Sequence, residues 1–362
     1  MLASDLHVHL DGSLRERTLL ELLRAQGLVP PGEGGAEFVT GLRFRPGMSL
    51  QGCLAKFDTV VGVLQTRAAL ARAAEELVQD SFLDGVRHAE MRLCPPLHTR
   101  AGLAPGDVIE AVLDGVRRGN ERISSGDPDG AMSAGIIVSV LEGMDEGDAA
   151  DLVELAARHA GAGVVGVDLA GDEALFDVER YRRPFARARE AGLAITVHAG
   201  EGHDPSHIRA AILELGARRI GHGTSASSDT SLLDLIVERG VTIEVCLTSN
   251  VHTGAVERLE LHPLPRLLER GVRVALATDN RFFSATALSR EYDLATSVLG
   301  VSAEGLARMA LESASSAFLG DRERARLAKL YSESARVSPA GGEVPSRESS
   351  RGGPPRGAGE RA

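Results

Sequence analysis

AITVHAGEGHDPSHIRAAILELGARRIGHG, residues 194–223, contains the unit on which the fold reading turns. It opens with an apolar, β-branched run, residues 194–198, that reads as a buried strand ending on His198. Pro205 then marks a helix start, because its missing N–H costs nothing at the first helical position. The helical pattern continues to residue 215, and residues 219–222 form a second short strand ending on His222. Strand, helix and strand in that order make one βα repeat of a parallel sheet.

The same alternation runs along the chain. Strands are expected at residues 5–9, 86–93, 134–140, 164–168, 194–198, 219–222, 242–246 and 272–278. Helical patterns separate them at 15–26, 64–83, 107–123, 148–159, 181–191, 205–215, 231–238 and 264–270. Eight such units close into a (β/α)8 barrel of the TIM type. An open doubly wound sheet is the rival, but neither GxGxxG nor GxxxxGK[ST] occurs. Residues 1–331 are read as one barrel domain. Within it, residues 30–64 are an insertion after the first helix, whose second half carries Leu54 and Phe57 and is placed to act as a lid over the barrel mouth. Residues 332–362 are rich in Ser, Pro, Gly, Arg and Glu and read as a disordered tail.

Composition narrows the function. The 362 residues are 43% hydrophobic and 25% charged, as in ordinary globular proteins. A net charge of −11 argues against a nucleic-acid partner, which needs clustered positive charge. No run approaches the roughly 20 apolar residues of a membrane span, and the polar start at Asp5, His7 and His9 leaves no room for a signal core, so a cytoplasmic location is expected. Cys53, Cys94 and Cys246 are odd in number and far apart, which implies no disulfide framework.

Chemistry gathers at the strand ends. His7 and His9 alternate with Leu6 and Val8, so both imidazoles leave the same face of the first strand. His198 and Glu201 follow the fifth strand, though Glu201 alone could equally begin the next helix. His222 sits between Gly221 and Gly223 at the end of the sixth. Asp279 follows a wholly apolar strand, a costly place for a carboxylate unless it is paired, metal-bound or capping a helix. Three histidines and one aspartate form a mixed N/O set suited to one Zn²⁺ ion, which leaves a fourth histidine and Glu201 for acid–base work. Two-metal barrels of this kind bridge their ions with a carboxylated lysine, but Lys56 and Lys329 lie away from the strand ends. His88, His98, His159, His203, His207, His252 and His262 show no partner pattern. The HxE…PCxxC and GxSxG signatures are absent.

In these blocks the chain resembles the adenosine deaminase family. The matching segments are His7-Val8-His9-Leu10-Asp11-Gly12-Ser13, Asp168-Leu169-Ala170-Gly171-Asp172-Glu173, His198-Ala199-Gly200-Glu201, Gly221-His222-Gly223, Thr248-Ser249-Asn250 and Thr278-Asp279, with Leu54-Ala55-Lys56-Phe57-Asp58 similar to the family's lid helix. The resemblance implies a barrel holding one zinc ion per chain through His7, His9, His198 and Asp279. It implies that Glu201 protonates purine N1, that His222 orients a water and helps deprotonate it, and that Gly171, Asp11, Asn280 and Phe57 bind substrate. The implied reaction converts adenosine or deoxyadenosine to inosine or deoxyinosine plus ammonia. The chain departs from the family pattern at Asn280, where a second aspartate is usual, at Leu247, which replaces a proline, and at Cys53, which replaces an aromatic residue in the lid. Those departures bear on the substrate, and leave a modified nucleoside such as 6-aminodeoxyfutalosine, or a catalytically inactive nucleoside-binding barrel, as alternatives. The partner expected is a small purine nucleoside, with neither nucleic acid nor membrane.

Overall fold

The computed structural model describes residues 1–29, 34–126, 131–202 and 204–337. Its strands are β1 (Ala3–His9), β2 (Val86–Leu93), β3 (Ser133–Leu141), β4 (Val164–Ala170), β5 (Ala194–Ala199), β6 (Arg219–His222), β7 (Thr242–Val245) and β8 (Arg273–Leu276). They pair in chain order, every adjacent pair parallel. The ring closes just beyond β8: Asp279 N–H donates to His7 O at 2.8 Å and His9 N–H to Asp279 O at 2.7 Å. A (β/α)8 barrel results. No helix among the described residues is long and apolar enough to cross a membrane.

Outward residues such as Val8, Val138 and Val197 join the core shared with the surrounding helices. The inward face is different. Barrel interiors are commonly filled by branched aliphatics, whereas here Glu90, Arg92, Asp168, Thr196, Arg219 and Glu244 are fully or almost fully buried inside. Arg92 pairs with Glu244 and Asp168, and Arg219 with Glu90 and Glu244. The strand runs that read as apolar thus alternate apolar outward with charged inward, and each guanidinium is set between two carboxylates.

Two expected boundaries move. The helix read over residues 64–83 starts three residues later: Leu50–Val63 ends at Leu64, and Arg67–Leu83 starts afresh with Thr66 Oγ1 accepting from Ala69 N–H at 3.2 Å. The tail read from residue 332 begins later, because a helix spans Asp321–Val337. Tyr331 anchors it under the barrel, its hydroxyl 2.8 Å from Ser4 Oγ. Residues 338–362, the rest of the expected tail, lie outside the described residues, as do residues 30–33 of the insertion. The described part of the insertion holds two helices, Gly34–Gly41 and Leu50–Val63. The second, capped by Ser49 Oγ, turns Leu50, Cys53, Leu54, Phe57 and Val61 toward the barrel mouth.

Candidate active site and metal centre

Five side chains converge at the C-terminal rim. His7 and His9 come from β1, His198 from β5, His222 from β6, and Asp279 from the residues that close the barrel. Donor atoms of His7, His198, His222 and Asp279 all lie within 4.8 Å of one another. His9 joins them, its Nε2 3.2 Å from His198 Nε2 and 3.3 Å from Asp279 Oδ1. His222 and Asp279 have φ of 64° and 58°, a region that non-glycine residues occupy only when surroundings impose it. Gly221 permits the crowding: a Cβ there would sit 2.8 Å from His7 Cε1.

The rings are oriented from behind. His7 Nδ1 lies 3.0 Å from Glu244 Oε2, and His198 Nδ1 lies 3.1 Å from Asp168 Oδ1. A carboxylate at Nδ1 holds the proton there and leaves the Nε2 lone pair facing the centre. His7 Nε2 is buried, 3.4 Å from Asp279 Oδ1, and bonds no other group. Ser249 Oγ donates to Asp279 Oδ2 at 2.6 Å. Burial works against an ionised Asp279, but the His7, His9 and His222 imidazoles hold it well below the usual carboxylate range. Burial, reinforced by His7 and Arg92, holds His198 well below its ordinary value and therefore neutral. Imidazole nitrogens, one ionised carboxylate and an orphaned buried nitrogen are the donor chemistry a divalent cation requires.

His222 differs from the other three. Leu264 N–H donates to His262 Nδ1 at 3.0 Å, which puts the His262 proton on Nε2, 3.2 Å from Asn250 Oδ1. The Asn250 amide nitrogen must then donate to His222 Nδ1, at 3.0 Å. With Nδ1 accepting and burial keeping the ring neutral, the remaining proton of His222 is on Nε2. That N–H lies 3.5 Å from Glu201 Oε2.

Glu201 occupies the loop after β5. Thr253 Oγ1 donates to its Oε1 at 2.7 Å, and its backbone N–H donates to Glu173 Oε1 at 3.0 Å. Burial, then the charge of Asp279, raises its pKa to about 8, so it is protonated at neutral pH.

These groups line a cavity of about 290 Å³ that also takes in Asp11, Gly171, Asn280 and Phe57. Phe57 packs on Phe283 at 4.7 Å between ring centroids, and the Asn280 amide lies over Gly12, where any Cβ would overlap it. Lys56 does not reach the site. Its ammonium donates to Gly41 O and Arg43 O, both at 2.8 Å, and ties the lid helix to the preceding segment. Among the described residues lining the cavity, Asp11, Asp58, Glu142, Asp172, Glu201 and Asp279 are acidic and none is Lys or Arg.

Every residue that the sequence singled out for the site is therefore in or beside one cavity. Sequence reading gave no role to the groups behind them, Glu244, Asp168, Glu173, Ser249, Asn250, Thr253 and His262, although Asp168, Glu173, Ser249 and Asn250 lie in the matching blocks. One signal was available, a glutamate at 244 in the middle of a buried strand, which needs a partner. His203 lies outside the described residues.

Comparison with known proteins agrees along the whole barrel. The model of a family described as adenosine deaminase matches residues 3–333. An adenosine deaminase of Klebsiella pneumoniae is 38% identical over 331 residues, covering 90% of this chain and 96% of that one. Among solved structures, an adenine deaminase from Arthrobacter aurescens aligns with a TM-score of 0.82 at 29% identity, over 92% of this chain and 99% of that one. An Arabidopsis N6-mAMP deaminase aligns with a TM-score of 0.82 at 26% identity, over 92% and 98%.

Proposed function

This chain belongs to the adenosine deaminase family, hydrolases acting on carbon–nitrogen bonds, and we propose that it converts adenosine or deoxyadenosine to inosine or deoxyinosine plus ammonia. The observation that carries the reading is a protonated, buried Glu201 beside a histidine–aspartate cluster, in a cavity with no lysine or arginine among its described lining residues. The solved relatives divide over substrate: one is named for a free base, another for a nucleotide. A phosphate needs a cation, and the carboxylate-bearing arm of 6-aminodeoxyfutalosine does too. Burying either beside these acids would cost several kcal/mol, on the order set by unpaired buried charges. A neutral nucleoside meets no such cost.

His7, His9, His198 and Asp279 are the residues proposed to hold the metal, with zinc the ion best suited to three imidazoles and a carboxylate. His222 is excluded because its Nε2 carries a proton and has no lone pair to offer. A bound ion would supply the lowered pKa of a coordinated water. The protein's own groups do the rest. Glu201 gives its proton to N1 of the purine, which makes C6 electrophilic. His222 orients the attacking water by donating from Nε2. The expectation that it also deprotonates that water does not fit its tautomer, since neither ring nitrogen is free to accept. Water adds at C6 as one of its protons returns to the ionised Glu201, the carbon becomes tetrahedral, and the C6–N bond breaks as the second water proton passes to the amino group, which leaves as ammonia. Gly171 presents backbone to the purine, Asn280 its amide to the N7 edge, Asp11 a carboxylate to the ribose end, and Phe57 covers the base from the lid.

The test is a substrate panel for purified, zinc-loaded protein, followed by ammonia release and ultraviolet change. Adenosine and deoxyadenosine should exceed AMP, N6-methyl-AMP and 6-aminodeoxyfutalosine in kcat/KM by about a hundredfold or more, the discrimination a wrong-sign buried charge provides. Faster turnover of any of the anionic substrates would sink the substrate assignment.

A further inference from the structure

One buried acid in the cavity has no task in this mechanism. Glu142 immediately follows β3, is 7% exposed and lines the cavity, yet neither of its carboxyl oxygens has a hydrogen-bond partner. The charges that bear on it most, Glu173, Asp172 and Asp168, share its sign, and no ion pair with it exists among the described residues. An unsatisfied buried carboxyl costs about 1–3 kcal/mol or more, and an orphan of that kind inside a pocket is explained when the ligand completes it.

Its location says which part of the ligand. β3 contributes nothing to the His–Asp cluster, whose residues come from β1, β5, β6 and the segment after β8, so a group above β3 faces the cavity apart from that cluster. Glu142 N and Cβ lie 3.4 and 3.6 Å from where a Gly171 Cβ would be. Gly171 has φ of 129°, which lets bare backbone face the ligand at that point. A purine resting on Gly171 brings its sugar to Glu142 on one side and Asp11 on the other.

We propose that Glu142 is a specificity-determining residue whose carboxyl group hydrogen-bonds a sugar hydroxyl of the bound nucleoside; this rests on the nucleoside reading above. Burial and its acidic neighbours raise the pKa of Glu142 to about 8. At neutral pH it therefore offers both an O–H donor and a carbonyl acceptor, either of which a hydroxyl can meet.

The experiment compares wild type, E142Q and E142A on adenosine and on its 2′-, 3′- and 5′-deoxy analogues, measuring kcat and KM, and Kd for binding to metal-free protein by calorimetry. E142A should raise KM and Kd for adenosine about tenfold, the loss of one buried hydrogen bond, with kcat within about threefold. E142Q should recover part of that loss. For the analogue lacking the bonded hydroxyl, the wild-type to E142A ratio should collapse to under about twofold, as non-additivity of two changes to one hydrogen bond requires. An unchanged Kd for adenosine overturns the proposal, as does an equal loss across all four ligands. So does a fall in the thermal midpoint of E142Q without any change in Kd, which would make Glu142 structural. Absence of turnover in the wild type, with this binding pattern intact, would sink deamination and leave the role of Glu142 standing.

Discussion

Glu201 has to be an acid at neutral pH, and its surroundings make it one. Burial raises it to about 8, so the protonated, active form is lost as pH rises through that value, and kcat/KM should fall on the alkaline side with a limb near pH 8. E201Q keeps the shape and the cluster but has no proton to give. Its kcat should drop about 10²–10⁴-fold, the usual worth of a general acid, while zinc content by atomic absorption stays unchanged; near-normal turnover would remove Glu201 from the mechanism. Glu173 acts through Glu201, accepting from the Glu201 and Gly202 N–H groups at 3.0 and 2.6 Å. E173Q should lower kcat more than it raises KM and move the alkaline limb to lower pH, because the charge of Glu173 is one of the causes that raise Glu201. Stability carries the same titration. Glu142 and Glu201 both bind protons more tightly folded than unfolded, so between their ordinary value of 4.5 and about 8 the folded state loses stability as pH rises. E142Q should flatten that decline in thermal midpoint across the same window.

The lid helix Leu50–Val63 illustrates what local pattern does and does not convey. Its amphipathic character was legible, as was Phe57 on the inward face. The start of the next helix was not, since Leu64 continues the apolar period and only the Thr66 cap, a side chain that completes that helix's first turn, separates the two. Phe57 stands 6.4 Å from His9 and 4.7 Å from Phe283, ring to ring, and so links the lid to the rim. F57A should raise KM about tenfold, the effect of removing an aromatic ring from a mostly apolar pocket, with a smaller effect on kcat in steady-state assays. An unchanged KM would mean the helix does not cover the substrate. The π-type turn at Ala211–Leu215, which finishes the helix after β5, is a second element the sequence read only as continuous helix.

Across the whole molecule, the charged interior is the unexpected feature. Glu244 bonds His7 and pairs with Arg92 and Arg219, all of them fully or almost fully buried. E244A would leave two buried guanidinium groups each short of one carboxylate, with only Asp168 and Glu90 still facing them, and should cost about 3–5 kcal/mol, the usual penalty for breaking a buried pair from one side, seen as a lower denaturant midpoint. It should also weaken zinc binding, because the His7 ring loses the carboxylate that orients it. E244Q, which keeps one hydrogen bond, should fall between. If E244A were as stable as wild type, the interior charges would not form the network described.

The eight-fold alternation, the pairing of His7 with His9 on one strand face, and the residue types able to bind a metal or move a proton were all determined by the sequence alone. Each of these depends on spacing within a few residues, which periodicity reports directly. The tertiary structure decided the rest. It chose among five converging donors, through a chain of bonds from Leu264 by way of His262 and Asn250 that sets the His222 tautomer. It placed Glu244 against His7 across 237 residues of chain, and left Glu142 unpartnered in the pocket. Such facts arise only when the ring closes, because hydrogen bonding and burial in a barrel depend on groups brought together by closure and not by proximity in the chain.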